Sequence, residues 1–321
     1  MRLKFAPDGK ILTDPLDLLE LQIPVLLDIP AWPLRQIPLA RARAMAAQEL
    51  KTLAVVYARN LPKLSPDLAP WIVPIFSSDD VRTDPSAVEA IRNIAQLLDS
   101  PDVPESADRI RAGKPQAILS VRMTLGPGSV DRILELSGRG LRVFHLCADQ
   151  HGRERRENGT PGRHIKDVLR EIHTRLVNEG VRDEITLIIS GGIALAEHVA
   201  KAIICGADLV AVDTALLAAL GCRVCRNSHP LNIDGAYGQP GLSSPDACPV
   251  QIDSVDSSYA AQRMKNLMGA WHSQLIEVLG AMGIREVRRL RGEMGRAIFM
   301  EEIEKEAFGD LLHVSQERAV L

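Results

Sequence analysis

Short apolar runs alternate with amphipathic segments along the first 220 residues. In the middle of the chain, apolar runs of four to eight residues predict buried strands, and the stretches between them have the spacing of amphipathic helices. These strands are Ala117–Thr124, Leu141–Ala148, Ile185–Ser190 and Leu209–Leu216. Strands that alternate with helices form a parallel sheet covered on both faces. We therefore predict an α/β fold, and about seven strands in this order favour a (β/α)8 TIM barrel over an open sheet.

The first 116 residues follow this rhythm less regularly. Strands are predicted at Ile23–Ile29, Thr52–Ala58 and Trp71–Ser78, with Pro74 indicating an edge or a bulge in the third. Pro85–Ser100 has the pattern of an amphipathic helix, whereas Pro101–Lys114 is polar and irregular. These assignments leave open a barrel that is incomplete or modified in its first strands.

The last part of the chain changes character. Residues 227–258 are rich in Pro, Gly, Ser and Asp, whereas Ala261–Gly283 and Val287–Gly309 have helical patterns. We expect residues 1–226 to form the barrel, and residues 227–321 to form a cysteine-containing excursion and helices packed on it.

Composition and charge narrow the class of protein. The 321 residues are 46% hydrophobic with a formal charge of −3, which is typical of a soluble globular chain and predicts no general affinity for nucleic acid or anionic membranes. No apolar run approaches the roughly 18 residues of a membrane span. The start of the chain has no apolar signal core, so we expect a cytoplasmic protein. Five cysteines, an odd number, argue against a disulfide framework.

Two turns at consecutive strand ends suggest an anion site. Ser190–Ile193 contains Gly191 and Gly192, and Asp213–Ala215 ends the next strand and precedes another helical start. Glycines let a backbone approach a ligand closely, and a helix start offers N–H groups to an anion. Late turns of a barrel often form a phosphate site. A tight turn that needs small residues is the alternative explanation for the glycine pair.

The segment from Ile189 to Cys222 resembles the end of the FMN-binding barrel of the glutamate synthase large subunit. Cys248–Ile252, Leu119–Met123 and the helical segment Gln262–Gly283 extend the resemblance, which covers about the last 200 residues. It implies a flavin-binding TIM barrel in which the FMN phosphate lies at Ser190, Gly191, Gly192, Asp213, Thr214 and Ala215. Arg122 stands where the family has a lysine near the pyrimidine edge of the flavin, although an arginine at a strand end can also be a surface residue.

The resemblance also implies a metal cluster. Cys222, Cys225 and Cys248 stand in the family's cluster region, where three thiolates would hold a 3Fe–4S cluster, or a 4Fe–4S cluster with a different fourth ligand. Zinc with His229, or three free thiols, are the alternatives. Cys147 and Cys205 are expected to be core residues.

Two family features are replaced. The first strand lacks the family's Ser-Phe-Gly loop and the glycine-rich stretch that follows that loop. The family's glycine-rich active-site loop is replaced by Ala148–His164 in this chain. That loop carries Arg153, Arg155, Arg156 and Arg163, which predict a solvated charged loop or a surface for an acidic partner or substrate. No catalytic residue is identified.

The resemblance implies an FMN and iron–sulfur oxidoreductase acting on CH–NH2 donors, which reduces a 2-iminoglutarate-type substrate to L-glutamate in glutamate biosynthesis. No nicotinamide dinucleotide motif or hydrolase motif is seen, so electrons and ammonia would come from an NAD(P)H reductase or ferredoxin partner and a glutaminase subunit in an oligomer. The alternative is a non-catalytic barrel subunit of a redox complex that has lost flavin.

Overall fold

Eight parallel strands close into one barrel, with each strand paired to the next and β8 paired to β1. The computed structural model describes residues 7–8, 18–30, 36–156, 160–222 and 254–293. The strands are β1 Val25–Leu27, β2 Ala54–Tyr57, β3 Ile72–Phe76, β4 Ile94–Leu98, β5 Ile118–Thr124, β6 Val143–Cys147, β7 Thr186–Ser190 and β8 Leu209–Val212.

Helices connect the strands and cover the barrel. They are α1 Gln36–Leu50, α2 Ser78–Thr83, α3 Pro85–Glu89, α4 Val103–Gly113, α5 Ser129–Gly138, α6 Ile165–Asn178, α7 Ala196–Ile204, α8 Thr214–Ala219 and α9 Ser257–Ala281. Short 3-10 helices lie at Ala58–Lys63, Pro66–Trp71, Arg182–Glu184 and Val287–Leu290. No helix within these described ranges is both long and apolar enough to cross a membrane.

The predicted TIM barrel is confirmed, and its first strands are complete. The helix predicted over Pro85–Ser100 is confirmed only at Pro85–Glu89, and the rest is wrong, because β4 occupies Ile94–Leu98. Its apolar residues are buried on both faces of the sheet, and their spacing imitates a helix. The irregular segment predicted after it contains α4, whose buried residues Val103, Ala107 and Ile110 recur at helical spacing.

The proline in β3 marks neither an edge nor a bulge. Pro74 pairs in register with Val56 of β2 inside the closed barrel. Pairing between β3 and β4 begins only at Ile75. Pro74, which has no N–H to donate, therefore lies at a position that has no recorded partner in β4.

The barrel wall separates two apolar clusters. The smaller cluster fills the barrel interior and includes Leu26, Val55, Val73, Ile94, Ile188 and Ala211. The larger cluster lies between the strands and the helices. Because strand side chains alternate between the two sides, the sequence of each strand decides what the interior contains.

The long helix α9 packs on α1. Alanines on α1 such as Ala42, Ala44 and Ala46 are completely buried, which lets the barrel and α9 both approach the helix. Ser257 donates a hydrogen bond to the Pro38 carbonyl (3.1 Å) at the start of this contact.

Candidate functional site

A layer of polar side chains closes the interior of the barrel at the carboxyl ends of its strands. Most of these residues lie two positions after an interior apolar residue, as His145 follows Val143 and Ser190 follows Ile188. They therefore point inward at the end where TIM barrels carry their active sites. We call this set the mouth layer: Asp28, Gln96, Arg122, His145 and Ser190.

Asp28 and Arg122 form the charged centre of the mouth layer. Arg122 Nη1 and Nη2 donate to the two carboxylate oxygens of Asp28 at 2.9 and 3.0 Å, a bidentate pair. The Asp28 side chain is 1% exposed and the Arg122 side chain 11% exposed. Burial raises the pKa of Asp28, but the charges of Arg122 and His145 and the hydrogen bonds from Arg122 and the Ile29 N–H together outweigh it, so the pKa is lowered overall. The carboxylate is therefore ionised at neutral pH, and the pair is neutral.

His145 sits between the ion pair and β7 with a fixed tautomer. Its Nδ1 lies 3.1 Å from Arg122 Nη1 and 3.1 Å from Gln96 Nε2, and both of these groups are donors. Nδ1 must therefore accept, and Nε2 carries the proton and donates to Ser190 Oγ at 2.9 Å. Burial, together with the charge of Arg122, lowers the pKa of His145 to about 3, so the ring is neutral at physiological pH.

Two further charged groups lie near the mouth layer: Arg43 is buried and Asp213 is half-buried. Burial and the charge of Asp28 raise the pKa of Asp213. Burial lowers the pKa of Arg43, on α1, to about 10, while Asp28 and Asp213 act in the opposite direction. Arg43 Nε has no hydrogen-bond partner among the described residues, and Nη2 only approaches the Val55 carbonyl at 3.5 Å. Two carboxylates and two guanidinium groups thus share this end of the barrel, with one close pair between them.

The glycine pair after β7 packs against the loop that follows β6. Gly191 and Gly192 have φ values of +95° and +70°, which favour glycine. A Cβ on Gly191 would lie 2.5 Å from the Asp149 carbonyl oxygen, and one on Gly192 would lie 2.6 Å from the Gly152 nitrogen. Close backbone packing therefore explains both glycines. Within the described residues, the N–H groups of Gly191, Gly192 and Ile193 have no recorded hydrogen-bond acceptor outside regular secondary structure.

In the turn after β8, a carboxylate of the chain itself occupies the N–H at the start of α8. The Asp213 carboxylate accepts a hydrogen bond from the Thr214 N–H at the start of α8, and Ala215 is buried in the first turn. Thr214 can give this N–H to a ligand only if Asp213 releases it.

The structure thus places the residues predicted to bind FMN in three settings. Arg122 and Ser190 meet through His145 in the mouth layer. Gly191 and Gly192 form a turn whose N–H groups have no recorded acceptor among the described residues outside regular secondary structure. Thr214 donates its N–H to the Asp213 carboxylate in a hydrogen bond.

Only Cys222 of the three predicted metal ligands lies within the described residues, where it is half-buried. Cys225, Cys248 and His229 lie outside them. No group of three His, Cys, Asp or Glu residues that could hold a metal ion is found in the described part of the chain. Cys205 is buried directly after α7, as expected for a core residue. Cys147 is half-buried at the end of β6, and burial raises its pKa.

The arginine-rich loop after β6 is organised around Glu154. Arg156 Nη2 and Arg163 Nε donate to this buried carboxylate at 2.7 and 3.2 Å. Burial raises the pKa of Glu154, but the two arginines outweigh this and lower it to about 2. Arg153 donates to the Gly162 carbonyl at 3.0 Å. These three arginines therefore brace the loop.

Sequence analysis did not identify Asp28, Gln96, His145 or Arg43 as site residues. The sequence does contain a feature that could have identified the first three of them. Each is a polar residue inside or directly after an apolar strand, an even number of positions from residues that face the interior, such as Gln96 within β4. Arg43 gave no such signal, because an arginine in an alanine-rich helix usually lies in solvent.

Two solved structures show the same kind of barrel, and one of them is described as a flavin-binding domain. The flavin-binding domain of baker's yeast flavocytochrome b2 superposes with a TM-score of 0.55 at 14% identity. The superposition covers 87% of this chain and 72% of that domain's chain. A mandelate oxidase variant has a TM-score of 0.54 at 15% identity, and covers 88% of this chain and 78% of its own. At this identity the likeness establishes the fold, and the protein is of the (β/α)8-barrel class.

Sequence comparison finds a similarity over the later part of the chain. Residues 155–285 match the family described as "Conserved region in glutamate synthase". Over 147 residues the chain is 36% identical to the archaeal glutamate synthase [NADPH] of Methanocaldococcus jannaschii and 32% identical to that of Archaeoglobus fulgidus. These alignments cover 45% of this chain but only 28% and 27% of the relatives. The predicted resemblance is confirmed: through this segment the chain is similar to the glutamate synthases.

Proposed function

We propose that this chain is the barrel of a glutamate synthase-like oxidoreductase that holds FMN at the carboxyl ends of its strands. The observation that carries the proposal is the buried mouth layer with Arg122 at its centre, next to the turn after β7. The match over residues 155–285 supports it, because this segment includes both predicted phosphate turns.

The residues present fit FMN on two of the three sides that the sequence predicts. A phosphate would be held by the N–H groups of Gly192 and Ile193, which have no recorded acceptor among the described residues outside regular secondary structure. The ring would lie against Arg122, whose charge is fixed in place. The third side disagrees, since Thr214 is bonded to Asp213.

A bound flavin would supply hydride transfer to an imine carbon of a 2-iminoglutarate-type substrate, giving L-glutamate. The chain's own contribution is positioning and electrostatics. Arg122 stabilises negative charge at the ring edge, and Asp28 fixes the direction of the guanidinium. Neutral His145 cannot act as an acid near pH 7, because its pKa is lowered to about 3. Its role is to hold Ser190 Oγ through Nε2.

Cys222, Cys225 and Cys248 would hold an iron–sulfur cluster, which would supply one-electron transfer, and the electrons would come from an NAD(P)H reductase or ferredoxin partner. Ammonia would come from a glutaminase subunit. The three cysteines lie within the range of the conserved-region match. The arrangement requires an oligomer of different subunits.

A second candidate, a barrel subunit without flavin, is favoured by one specific observation. The Asp213 carboxylate lies at the N–H of Thr214 and would repel a phosphate dianion placed there. In this case the mouth layer is a structural plug, and the subunit supports the assembly of a redox complex.

Anaerobic purification followed by flavin, iron and sulfide analysis tests the first proposal. We expect bound FMN, or saturable FMN uptake followed by the visible absorption bands of the flavin. Arg122→Met should weaken this uptake at least about tenfold through the loss of one charged contact. Arg109→Met, at an exposed pair on α4, is the matched control.

Protein that neither contains nor takes up FMN would overturn the first proposal in favour of the second candidate. Asp213→Asn keeps an acceptor for Thr214 but removes the charge. FMN uptake by this variant, without uptake by the natural protein, would identify the Asp213 charge as the reason.

A further inference from the structure

A cluster of charged side chains joins the segment after α9 to the barrel, at the end opposite the mouth layer. Asp208 lies directly before β8, and Asp183 lies in the 3-10 helix before β7. Arg291 Nη1 donates to Asp208 Oδ1 at 2.6 Å, and Arg291 Nη2 donates to Asp183 Oδ1 at 3.1 Å. The Gly292 N–H donates to the Ile204 carbonyl of α7 at 3.2 Å. We call these contacts of Arg291 and Gly292 the tail clamp.

Asp208 also binds a second, buried arginine. Arg182 is 3% exposed, and its Nη2 donates to Asp208 Oδ2 at 2.9 Å and to the Gly206 carbonyl at 2.7 Å. Its Nη1 donates to the Ile185 carbonyl at 2.6 Å. Two backbone carbonyls thus hold Arg182 in place, whereas Arg291 is 29% exposed and is bound to this cluster through carboxylates.

A histidine on α6 completes the cluster. His173 Nδ1 accepts a hydrogen bond from Arg182 Nε at 3.1 Å, so Nδ1 carries no proton in this arrangement. The side chain packs closely against the turn between α7 and β8, because a Cβ on Gly206 would lie 2.6 Å from His173 Cβ. The ring therefore cannot move away from Arg182 without disturbing this turn.

The charges recorded around the imidazole are those of Arg182 and Asp183 before β7, Asp208 before β8 and Arg291 of the tail clamp. Burial, followed by the charges of Arg182 and Arg291, lowers the pKa of His173, while Asp208 and Asp183 act in the opposite direction. The folded state thus favours the neutral ring. This contribution to stability is complete above the ordinary histidine pKa of about 6.5 and is lost as the pH falls below it.

We infer that protonation of His173 opens the tail clamp and releases Arg291 and Gly292 from the barrel. A proton on Nδ1 would face the Arg182 Nε–H, and the new positive charge would compete with Arg291 for the two carboxylates. Arg182 stays in place through its backbone acceptors, so Arg291 is the group that leaves. The inference does not depend on flavin at the barrel mouth.

Hydrogen exchange of the Gly292 amide tests the inference, because this N–H bonds across the clamp to Ile204. The rate is measured by NMR at about pH 7.5 and about pH 5.5, on either side of the ordinary histidine pKa, and corrected for the intrinsic pH dependence of exchange. We expect the corrected exchange of the natural protein to be about fivefold faster at the lower pH.

His173→Gln keeps an acceptor for Arg182 but gains no proton in this range, so the increase should be absent. His272→Gln, at an exposed position on α9, is the matched control and should retain it. No increase in the natural protein, or an equal increase in His173→Gln, would overturn the inference.

If His173→Gln does not fold, titration of the His173 ring by NMR decides. Arg291→Met removes one positive charge and frees two carboxylates, so the pKa of His173 should rise and the ring should bind its proton at least about threefold more tightly. Arg288→Met, at an exposed pair with Glu286, is the control and should leave this affinity unchanged. An unchanged His173 pKa in Arg291→Met would overturn the coupling between the ring and the clamp.

Discussion

At the scale of single residues, the decisive feature is a charged pair inside the barrel. Asp28 and Arg122 are both nearly inaccessible and bonded at two points. Burying two charges costs several kcal/mol each, so such a pair adds little net stability. Removing one partner is different, because the other is left buried and unpaired. The retention of this pair in a core position is what a functional role for Arg122 would require.

Arg122→Met should therefore lower the free energy of unfolding by about 3–5 kcal/mol. Arg109→Met is a matched control, because Arg109 and its partner Glu105 are at least half exposed. Its cost should stay below about 1 kcal/mol. Chemical denaturation of the two variants measures the difference, and equal costs would show that the buried pair is screened like a surface pair.

At the scale of elements, the turn after β7 is shaped by its neighbour. The loop after β6 lies so close to Gly191 and Gly192 that no side chain fits. The glycine pair is therefore required for packing, whatever ligand the turn binds. Close packing with the loop after β6 explains the two glycines without reference to the anion site that the sequence suggests.

Gly192→Ala and Gly180→Ala distinguish strain from collision. Both glycines have φ of +70°, but a Cβ on Gly180 meets nothing within 4 Å. We expect Gly180→Ala to cost about 1–2 kcal/mol through backbone strain alone. Gly192→Ala should cost about 1–3 kcal/mol more through collision with Gly152. Thermal or urea unfolding measures both, and a Gly192 variant no less stable than the Gly180 variant would contradict the packing explanation.

At the scale of the whole molecule, α9 is part of the folded unit. Met264, Met268, Trp271 and Leu275 of this helix are buried against the rest of the chain. The alanine-rich helix α1 packs against α9 on one side and against β1 and β2 on the other. We therefore expect loss of packing at α9 to destabilise β1 and β2.

Trp271→Ala should destabilise the barrel by about 3–5 kcal/mol, because it removes a large side chain that is 5% exposed. Ile276→Ala lies on the same helix at 54% exposure and should change stability by no more than about 0.5 kcal/mol. The two variants should be compared by a probe of the barrel, such as hydrogen exchange in β1 and β2. Unchanged exchange in Trp271→Ala would show that α9 folds independently.

The sequence by itself determined the class of fold and the family resemblance of the second half. From Ala117 onward, the alternation of apolar runs and helical segments marked each strand, because a parallel strand is buried on both faces and its helices are amphipathic. It failed at β4, where a buried strand has no polar face to distinguish it from a helix. It also missed α4, in which few of the residues are apolar.

Only the tertiary structure decided what the barrel mouth contains. Asp28, Gln96 and His145 lie far apart in sequence, and closure of the barrel brings them to Arg122. The structure also assigned the Asp213 carboxylate to Thr214, and three arginines to bracing the loop around Glu154. Local patterns record which side of a strand a residue faces, but the partner of a buried charge is set by contacts across the whole fold.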